Sequence, residues 1–274
     1  RLKMMRYIGS RDIHVGYGEK IVLDELNIEF PLEKITTIIG PNGCGKSTLL
    51  KTLGRILQPN KGSIILEGED IHTMSTKKIA KKMAILPQSP IPPEGLTVEE
   101  LVSYGRFPHQ SGLKKLRKED HEIIDWALEV TDLKILRESE VDKLSGGQRQ
   151  RVWIAMALAQ QTDIILLDEP TTYLDMAYQL DILLLLDELN KKHNTTIIMV
   201  LHDINLASRF SDYIVALKAG SIISSGKPDD VMTKEVLKNV YDIEANIVTD
   251  PITDCKVCLS YNLLNILNHK KKGA

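Results

Sequence analysis

The sequence lacks several features that would define its class at once. Cysteine occurs three times in 274 residues, and aromatic residues make up 5%. Three cysteines are too few for the disulfide framework of a small secreted protein. No apolar run reaches the roughly 18 residues of a membrane-spanning helix, and no secretory signal is visible. We therefore expect a cytosolic chain, or one that meets a membrane through another protein.

An excess of charge of one sign is also absent. The 35 basic and 37 acidic residues give a net charge of −2, which argues against a general nucleic-acid binder. The 43% of hydrophobic residues is typical of a globular protein with one large domain or two small ones. Cys255 and Cys258 have the spacing of half a zinc site, but no second pair accompanies them, which disfavours metal binding.

The most informative stretch is glycine-rich. Residues 40–48 contain Gly-x-x-x-x-Gly-Lys-Ser, after the apolar run Ile35–Ile39, which predicts a buried strand, and before a predicted helix. Glycines let several backbone N–H groups face one anion, and the helix N-terminus adds partial positive charge. Lys46 is predicted to reach the β- and γ-phosphates and Ser47 to ligate Mg²⁺. The residues predicted to bind a nucleoside triphosphate are Gly40, Pro41, Asn42, Gly43, Cys44, Gly45, Lys46, Ser47 and Thr48.

The order of apolar and polar segments predicts an α/β fold. Apolar strands that alternate with helices indicate a mostly parallel sheet, and short alternating runs in residues 11–40 indicate antiparallel strands before it. A helical stretch interrupts the core. We divide the chain into an α/β core of residues 1–88 and 161–245, a helical subdomain of residues 89–160, and a C-terminal extension of residues 246–274. Whether the extension completes the fold is left open.

Two carboxylates end an apolar strand in Leu167-Asp168-Glu169-Pro170. A carboxylate at a strand tip can hold Mg²⁺ directly or through water, and a second one can polarise an attacking water. Because the string follows a phosphate-binding loop in the chain, we assign Asp168 to the metal and Glu169 to the base.

A second glycine-rich helix start reads Leu144-Ser145-Gly146-Gly147-Gln148. Such a helix start can bind an anion, although Ser-Gly-Gly alone is as well explained by helix capping. The complete string resembles the signature motif of ABC-type ATPases, the nucleotide-binding subunits of ATP-driven transporters, and the resemblance covers residues 11–245. It implies a head-to-tail dimer of two copies around two ATP molecules, because the chain carries one motif set. Ser145, Gly146 and Gly147 would then act on the ATP of the other copy.

The same resemblance implies roles for four more residues. Gln88 would sense Mg²⁺ and water, and Tyr17 would stack on adenine, with a strand-core tyrosine as the alternative. Asp175 would cross the dimer interface. His202 would contact the γ-phosphate and keep the catalytic water and Glu169 in register. The implied catalytic residues are Glu169, His202, Lys46 and Gln88, and the implied Mg²⁺ ligands are Ser47, Gln88 and Asp168.

Longer strings resemble one branch of that family, the ATP-binding subunits for iron(III)–siderophore uptake, such as ferrichrome and ferric citrate systems. Cobalamin and haem importers are the alternative. The resemblance implies separate permease subunits that contact Tyr104–His109, an extracytoplasmic binding protein as an indirect partner, and the cytoplasmic face of a bacterial membrane. The strings are Ile85–Gln88, Ser103–His109, Trp153–Ala159 and Glu169–Asp175.

Other classes of phosphate-loop protein fit less well. ABC proteins of DNA repair have long coiled coils between the loop and the signature, and no sustained heptads occur here. Translation-associated ABC proteins carry two cassettes per chain. Kinases and GTPases need no signature motif, and the guanine-reading Asn-Lys-x-Asp string is missing. A soluble ABC ATPase without a transport role is thus less favoured.

Overall fold

The computed structural model describes residues 7–88, 90–110 and 115–264. Residues 265–274 of the predicted C-terminal extension, and the first six residues of the predicted core, lie outside the described ranges. Ser89, the first residue of the predicted helical subdomain, also lies outside them.

The strands and helices alternate along most of the described chain. The strands are β1 (Tyr7–Tyr17), β2 (Lys20–Pro31), β3 (Ile35–Ile39), β4 (Lys61–Leu66), β5 (Glu69–Asp70), β6 (Met83–Leu86), β7 (Ile164–Asp168), β8 (Thr196–Val200), β9 (Tyr213–Lys218), β10 (Ser221–Gly226), β11 (Ile243–Thr249) and β12 (Lys256–Leu263). The α-helices are α1 (Lys46–Leu53), α2 (Thr76–Ala80), α3 (Val98–Ser103), α4 (Lys118–Val130), α5 (Gly146–Ala159), α6 (Met176–His193), α7 (Ile204–Phe210), α8 (Pro228–Val231) and α9 (Lys234–Tyr241).

These elements form two compact units. Among the described residues, the first comprises residues 7–72 and 198–264 and the second lies within residues 73–197, so the chain crosses between the units after His72 and again within β8. The functional division into core, helical subdomain and extension remains a prediction, because compactness alone does not assign roles to segments.

The first unit contains an antiparallel sheet with the strand order β2-β1-β4-β5. Burial alternates along β2, where Leu26, Ile28 and Phe30 are buried and Asn27 and Glu29 are exposed. A sheet that is covered on one face produces this alternation. The predicted antiparallel β region before the phosphate loop is therefore confirmed.

A second sheet of the first unit has the order β10-β9-β3-β8, with β9 parallel to β3 and β10 antiparallel to β9. Every residue of β3 is buried. A strand covered on both faces reads as a continuous apolar run, which is how Ile35–Ile39 predicted it.

The second unit combines the parallel pair β6 and β7 with helices. Leu86 lies opposite Leu167, so the two strands end side by side. Helix α3 begins with a capping box, in which Thr97 and Glu100 each accept a hydrogen bond from the other's backbone N–H. The fold class predicted from the sequence, a phosphate-loop α/β core with an antiparallel β region and an inserted helical segment, is confirmed.

Residues 243–263 pack within the first unit as an antiparallel hairpin of β11 and β12. Its buried side chains Ala245 and Cys258 cluster with Leu237 of α9. The side-chain amide of Asn205 in α7 accepts from the Cys258 N–H at 2.7 Å and donates to the Cys258 carbonyl at 3.2 Å. Cys258 is paired with β11 on one side, and on its other side the Asn205 side chain makes the two hydrogen bonds that a further strand would make.

We predict that the substitution Asn205→Ala loosens the hairpin. It removes both hydrogen bonds to Cys258, so the free energy of unfolding should fall by about 1–3 kcal/mol. Urea unfolding measures this loss, and amide exchange in residues 256–263 should become faster. Asn262→Ala is the control, because Asn262 is exposed on the same strand and should change the stability by less than about 0.5 kcal/mol. Equal effects would show that Asn205 is not the anchor.

Candidate functional site

In the glycine-rich loop between β3 and α1, the Lys46 side chain is hydrogen-bonded to the backbone of the loop. The Nζ of Lys46 donates to the carbonyls of Gly40 at 2.8 Å and Pro41 at 3.0 Å, and Lys46 is only 5% exposed. Gly45 precedes α1 with φ of 108° and supplies no side-chain cap. The first-turn N–H groups of α1 are therefore left without a capping side chain, as an anion-binding helix start requires.

Three glycines of the loop are needed for backbone reasons. Gly43 and Gly45 have φ of 75° and 108°, in the region that side chains disfavour. At Gly40, a Cβ would lie 2.2 Å from the carbonyl oxygen of Leu217 in β9, so the loop passes directly against that strand. The motif's glycines thus allow the curvature that the sequence predicted, and Gly40 also allows the close approach to β9.

Cys44 is a buried free thiol within the loop. Burial raises the pKa of its thiol, and the nearby Lys46 ammonium opposes that rise without cancelling it. The thiol therefore stays protonated at neutral pH and is a poor nucleophile.

Tyr17 and His202 also lie in the first unit. Tyr17 ends β1 and is 52% exposed, so the strand-core alternative is wrong for this tyrosine. His202 is exposed directly beyond β8, where the Leu201 N–H donates to the Ile38 carbonyl at 3.4 Å. This bond places His202 beside the end of β3, the strand that the phosphate loop follows.

In the second unit, Gln88 and Glu169 meet at the ends of β6 and β7. The Nε2 of Gln88 donates to Oε2 of Glu169 at 2.5 Å, and the Oγ1 of Thr172 donates to the same oxygen at 3.0 Å. Glu169 is buried and has φ of 53°. A non-glycine residue in this left-handed region is held there by its surroundings, which occurs most often at functional sites. Asp168, the last residue of β7, is also buried.

The signature string forms the first turn of α5. Ser145 accepts from the Gln148 N–H at 3.3 Å, and Gln148 Oε1 accepts from the Ser145 N–H at 3.0 Å, which makes a complete capping box. Gly146 is exposed and Gly147 is buried. Asp175 caps α6 by accepting from the Tyr178 N–H at 3.0 Å. Capping therefore accounts for part of both motifs and leaves Gly146 exposed at the start of the helix.

Two residues that the sequence did not single out contact the predicted site residues. Thr172 supplies the second hydrogen bond to Glu169, and it lay within the recognised string Glu169–Asp175. Tyr241, at the end of α9, has its hydroxyl against the loop. Burial strongly raises the pKa of this hydroxyl, with the Gly40 backbone opposing the rise. No local motif marks Tyr241, so only the tertiary structure identifies it.

Within the described part of the chain, no group of three or more His, Cys, Asp and Glu side chains is placed to hold a metal ion by itself. The three cysteines are free thiols. None of the helices within residues 7–88, 90–110 and 115–264 is long and apolar enough to cross a bilayer.

Comparison with known proteins decides the family. A family model described as ABC transporter matches residues 23–172, which contain the phosphate loop, the signature string and the Asp168–Glu169 pair. The chain belongs to the ABC transporter family of ATPases. The resemblance that the motifs indicated is confirmed, and with it the assignment as an enzyme that binds and hydrolyses ATP.

Individual relatives match this ABC ATPase over most of its length. It is 58% identical to the iron(3+)-hydroxamate import ATP-binding protein FhuC of Bacillus subtilis, with 95% of this chain and 97% of FhuC covered. A metal-chelate type ABC transporter solved in an inward-facing conformation shares 27% identity at a TM-score of 0.80, covering 93% of this chain and 98% of that one. The dimeric ATP-binding cassette MJ0796 with ADP and phosphate bound shares 30% identity at a TM-score of 0.69. The match covers 81% of this chain and 98% of that one.

We predict that the two signature glycines of the ABC ATPase differ in their tolerance of alanine. A Cβ at Gly147 would lie 2.7 Å from Cδ1 of Tyr178, whereas a Cβ at Gly146 would lie 3.8 Å from Cδ2 of Leu174. Gly147→Ala should lower the free energy of unfolding by about 1–3 kcal/mol, because the aromatic ring must move.

Gly146→Ala is the matched control. It meets no close contact and should leave stability unchanged or raise it by up to about 1 kcal/mol, since alanine favours helix. Urea unfolding of both variants measures the difference. Equal stabilities would mean that the Tyr178 ring does not restrict Gly147.

Proposed function

We propose that this chain is the ATP-hydrolysing subunit that powers import of an iron(III)–siderophore complex through separate permease subunits. The observation that carries the proposal is the 58% identity to the iron(3+)-hydroxamate import protein FhuC over nearly both whole chains. Among ferric chelates, a hydroxamate is therefore the first cargo to test. Cobalamin, haem and other metal chelates are the alternative cargoes.

The phosphate loop binds the ATP phosphates in this proposal. Lys46 exchanges its two carbonyl acceptors for the β- and γ-phosphate oxygens, which accept a charge-assisted hydrogen bond more strongly than a carbonyl does. The first-turn N–H groups of α1 supply further donors, and Thr48 is buried in the same turn. The exposed ring of Tyr17 offers a face on which adenine stacks.

Mg²⁺ has suitable ligands among the predicted residues. Ser47 offers a hydroxyl in the first unit, and Asp168 and Gln88 offer a carboxylate and an amide oxygen in the second. Mg²⁺ prefers such hard oxygen ligands. The Nε2 of Gln88 donates to Glu169, so the Oε1 of the Gln88 amide is not used in this bond and can serve as a ligand of a cation. When bound, the ion neutralises charge that develops on the phosphates.

Glu169 is the general base in this proposal. Two donors on Oε2, from Gln88 and Thr172, hold the carboxylate in one orientation, and the backbone at φ 53° holds the residue in its turn. A carboxylate with a fixed direction can align an attacking water without further reorganisation. His202 contacts the γ-phosphate and keeps that water in register.

Two copies of the chain complete two ATP sites. The chain carries one signature string, and a solved relative with ADP and phosphate bound is dimeric. In the dimer, the exposed start of α5 at Ser145–Gln148 faces the ATP of the other copy, and Asp175 lies at the interface. ATP favours the closed dimer because it binds that state more tightly, and hydrolysis removes the preference.

The permease subunits contact the docking segment, which we define as the 3₁₀ helix Tyr104–His109. Tyr104 and Phe107 are 37% and 57% exposed, and their rings stack with centroids 4.8 Å apart. Two stacked, exposed aromatic rings are typical of a protein–protein interface rather than of free surface. This contact would hold the chain at the cytoplasmic face of the membrane, with the extracytoplasmic binding protein as an indirect partner.

We predict that Glu169→Gln separates ATP binding from hydrolysis. The amide retains the size of the carboxylate but cannot accept the proton of water, so phosphate release should fall by at least about a hundredfold. The variant should still bind ATP and accumulate as a dimer on size-exclusion chromatography. Glu119→Gln, at an exposed position of α4, is the control and should hydrolyse normally. Normal hydrolysis by Glu169→Gln would remove Glu169 from the base role.

The cargo is tested with the chain in its membrane complex. The permease subunits that co-purify with it are reconstituted in vesicles with their binding protein, and uptake is measured with radiolabelled iron. We expect ATP-dependent uptake of a ferric hydroxamate, with less uptake of a ferric catecholate, ferric citrate, haem or cobalamin. Preference for cobalamin or haem would support the alternative cargo, and the absence of any ATP-dependent uptake would refute the import function.

A further inference from the structure

The inner side of the docking segment differs from its aromatic outer side. Gly105 and Arg106 are buried, and Arg106 is only 5% exposed. An arginine this far from water needs partners for its charge and its N–H groups. Those partners show what the docking segment is attached to within the second unit.

Arg106 holds three acceptors at once. Its Nε donates to Asp120 Oδ1 at 2.8 Å, and its Nη1 donates to the Ala159 carbonyl at 2.8 Å and to Gln161 Oε1 at 3.1 Å. Ala159 is the last residue of α5. Burial raises the pKa of the Asp120 carboxyl, but hydrogen bonds from the Arg117 N–H and from Arg106 outweigh burial and the net pKa is lowered. The ion pair is therefore charged at neutral pH.

Two further contacts join the docking segment to the same end of α5. The Nε2 of His109 donates to the Gln160 carbonyl at 2.8 Å. At Gly105, a Cβ would lie 2.2 Å from the Met156 carbonyl oxygen, so the segment's backbone lies directly on the last turn of the helix. Arg106 and His109 together satisfy carbonyls that a helix C-terminus leaves without partners.

The end of α5 is also tied to the strand that leads to Gln88. The Nε2 of Gln160 donates to the Ala80 carbonyl at 2.6 Å and to the Met83 carbonyl at 3.0 Å. Ala80 ends α2 and Met83 begins β6. One junction therefore connects the docking segment with α5, which begins at the signature string, and with β6, which leads to Gln88.

We propose that Arg106 is a positioning residue that makes the docking segment and helix α5 move as one body. The inference rests on the proposed function, in which the docking segment meets the permease and the start of α5 meets ATP. The 14 residues of α5 form a rod about 21 Å long, so displacement of its last turn displaces the signature at its first turn.

The chemistry of arginine fits this role better than a purely stabilising one. An ion pair with Asp120 alone would balance the buried charge, and buried ion pairs contribute little net stability. The planar guanidinium, however, has donors in fixed directions and can bond a carboxylate and a helix end together, which the single ammonium of lysine cannot do. The bonds to Ala159 and Gln161 are those that link the docking segment to α5.

The experiment compares Arg106→Lys with wild type in the reconstituted permease complex. The Arg106→Lys variant retains the ion pair with Asp120 but lacks the Nη1 donor that bonds Ala159 and Gln161 at the end of α5. We expect normal basal ATPase and ATP KM in the isolated chain, and a fall of about fivefold or more in the stimulation of ATPase by the permease. Gln161→Asn, which shortens an exposed acceptor without burying an unpaired charge, should lower the stimulation in the same direction.

Arg137→Lys is the matched control. Arg137 donates to Glu99 at 3.0 and 2.9 Å and to Asp125 at 2.9 Å, so it is a multiply bonded arginine of the same unit without a bond to α5. Arg137→Lys should retain the stimulation of ATPase by the permease. Unchanged stimulation in Arg106→Lys, or equal loss in Arg137→Lys, would overturn the positioning role. If the permease does not stimulate the wild type at all, the proposed import function fails first and the coupling role fails with it.

Discussion

The complete burial of the central strands constrains the chemistry of this protein most. In β3, β7 and β8 every residue is buried, so a functional polar group must lie at a strand end or in the turn that follows. The phosphate loop follows β3, Asp168 ends β7 with Glu169 directly after it, and His202 follows β8. A backbone conformation that is unfavourable elsewhere, such as φ of 53° at Glu169, is held there because the preceding strand is packed on both faces.

Both ends of helix α5 have a proposed role beyond capping. Ser145 and Gln148 cap its start and leave Gly146 exposed, while Arg106 and His109, in the docking segment, donate to its last carbonyls. Groups that any helix must satisfy are thus satisfied by the residues that the proposed transport function needs. In the proposed function, the rigid helix between these two ends links ATP to a membrane partner, which no single motif does.

Much of this could be predicted from the sequence because it depends on local patterns. Continuous apolar runs predicted β3 and β7, and the alternation of apolar and polar residues predicted the antiparallel strands that include β2. The glycines of residues 40–48 predicted a curled loop for reasons of backbone sterics alone. By contrast, the hairpin of β11 and β12 gave no strong signal, because its exposed residues include Leu259, Tyr261 and Leu263 and its Cys258 bonds to Asn205, which lies far away in the sequence in α7.

The sequence by itself determined the reaction class, because phosphate binding requires residue types at fixed local spacing and the string around Lys46 contains all of them. It also determined the family through Leu144–Gln148. Only the tertiary structure decided that Gln88 and Thr172 share one oxygen of Glu169 and that Arg106 faces inward to the end of α5. Those contacts join residues far apart in the chain, and hydrogen bonds over such separations depend on how the elements pack, which no short sequence pattern records.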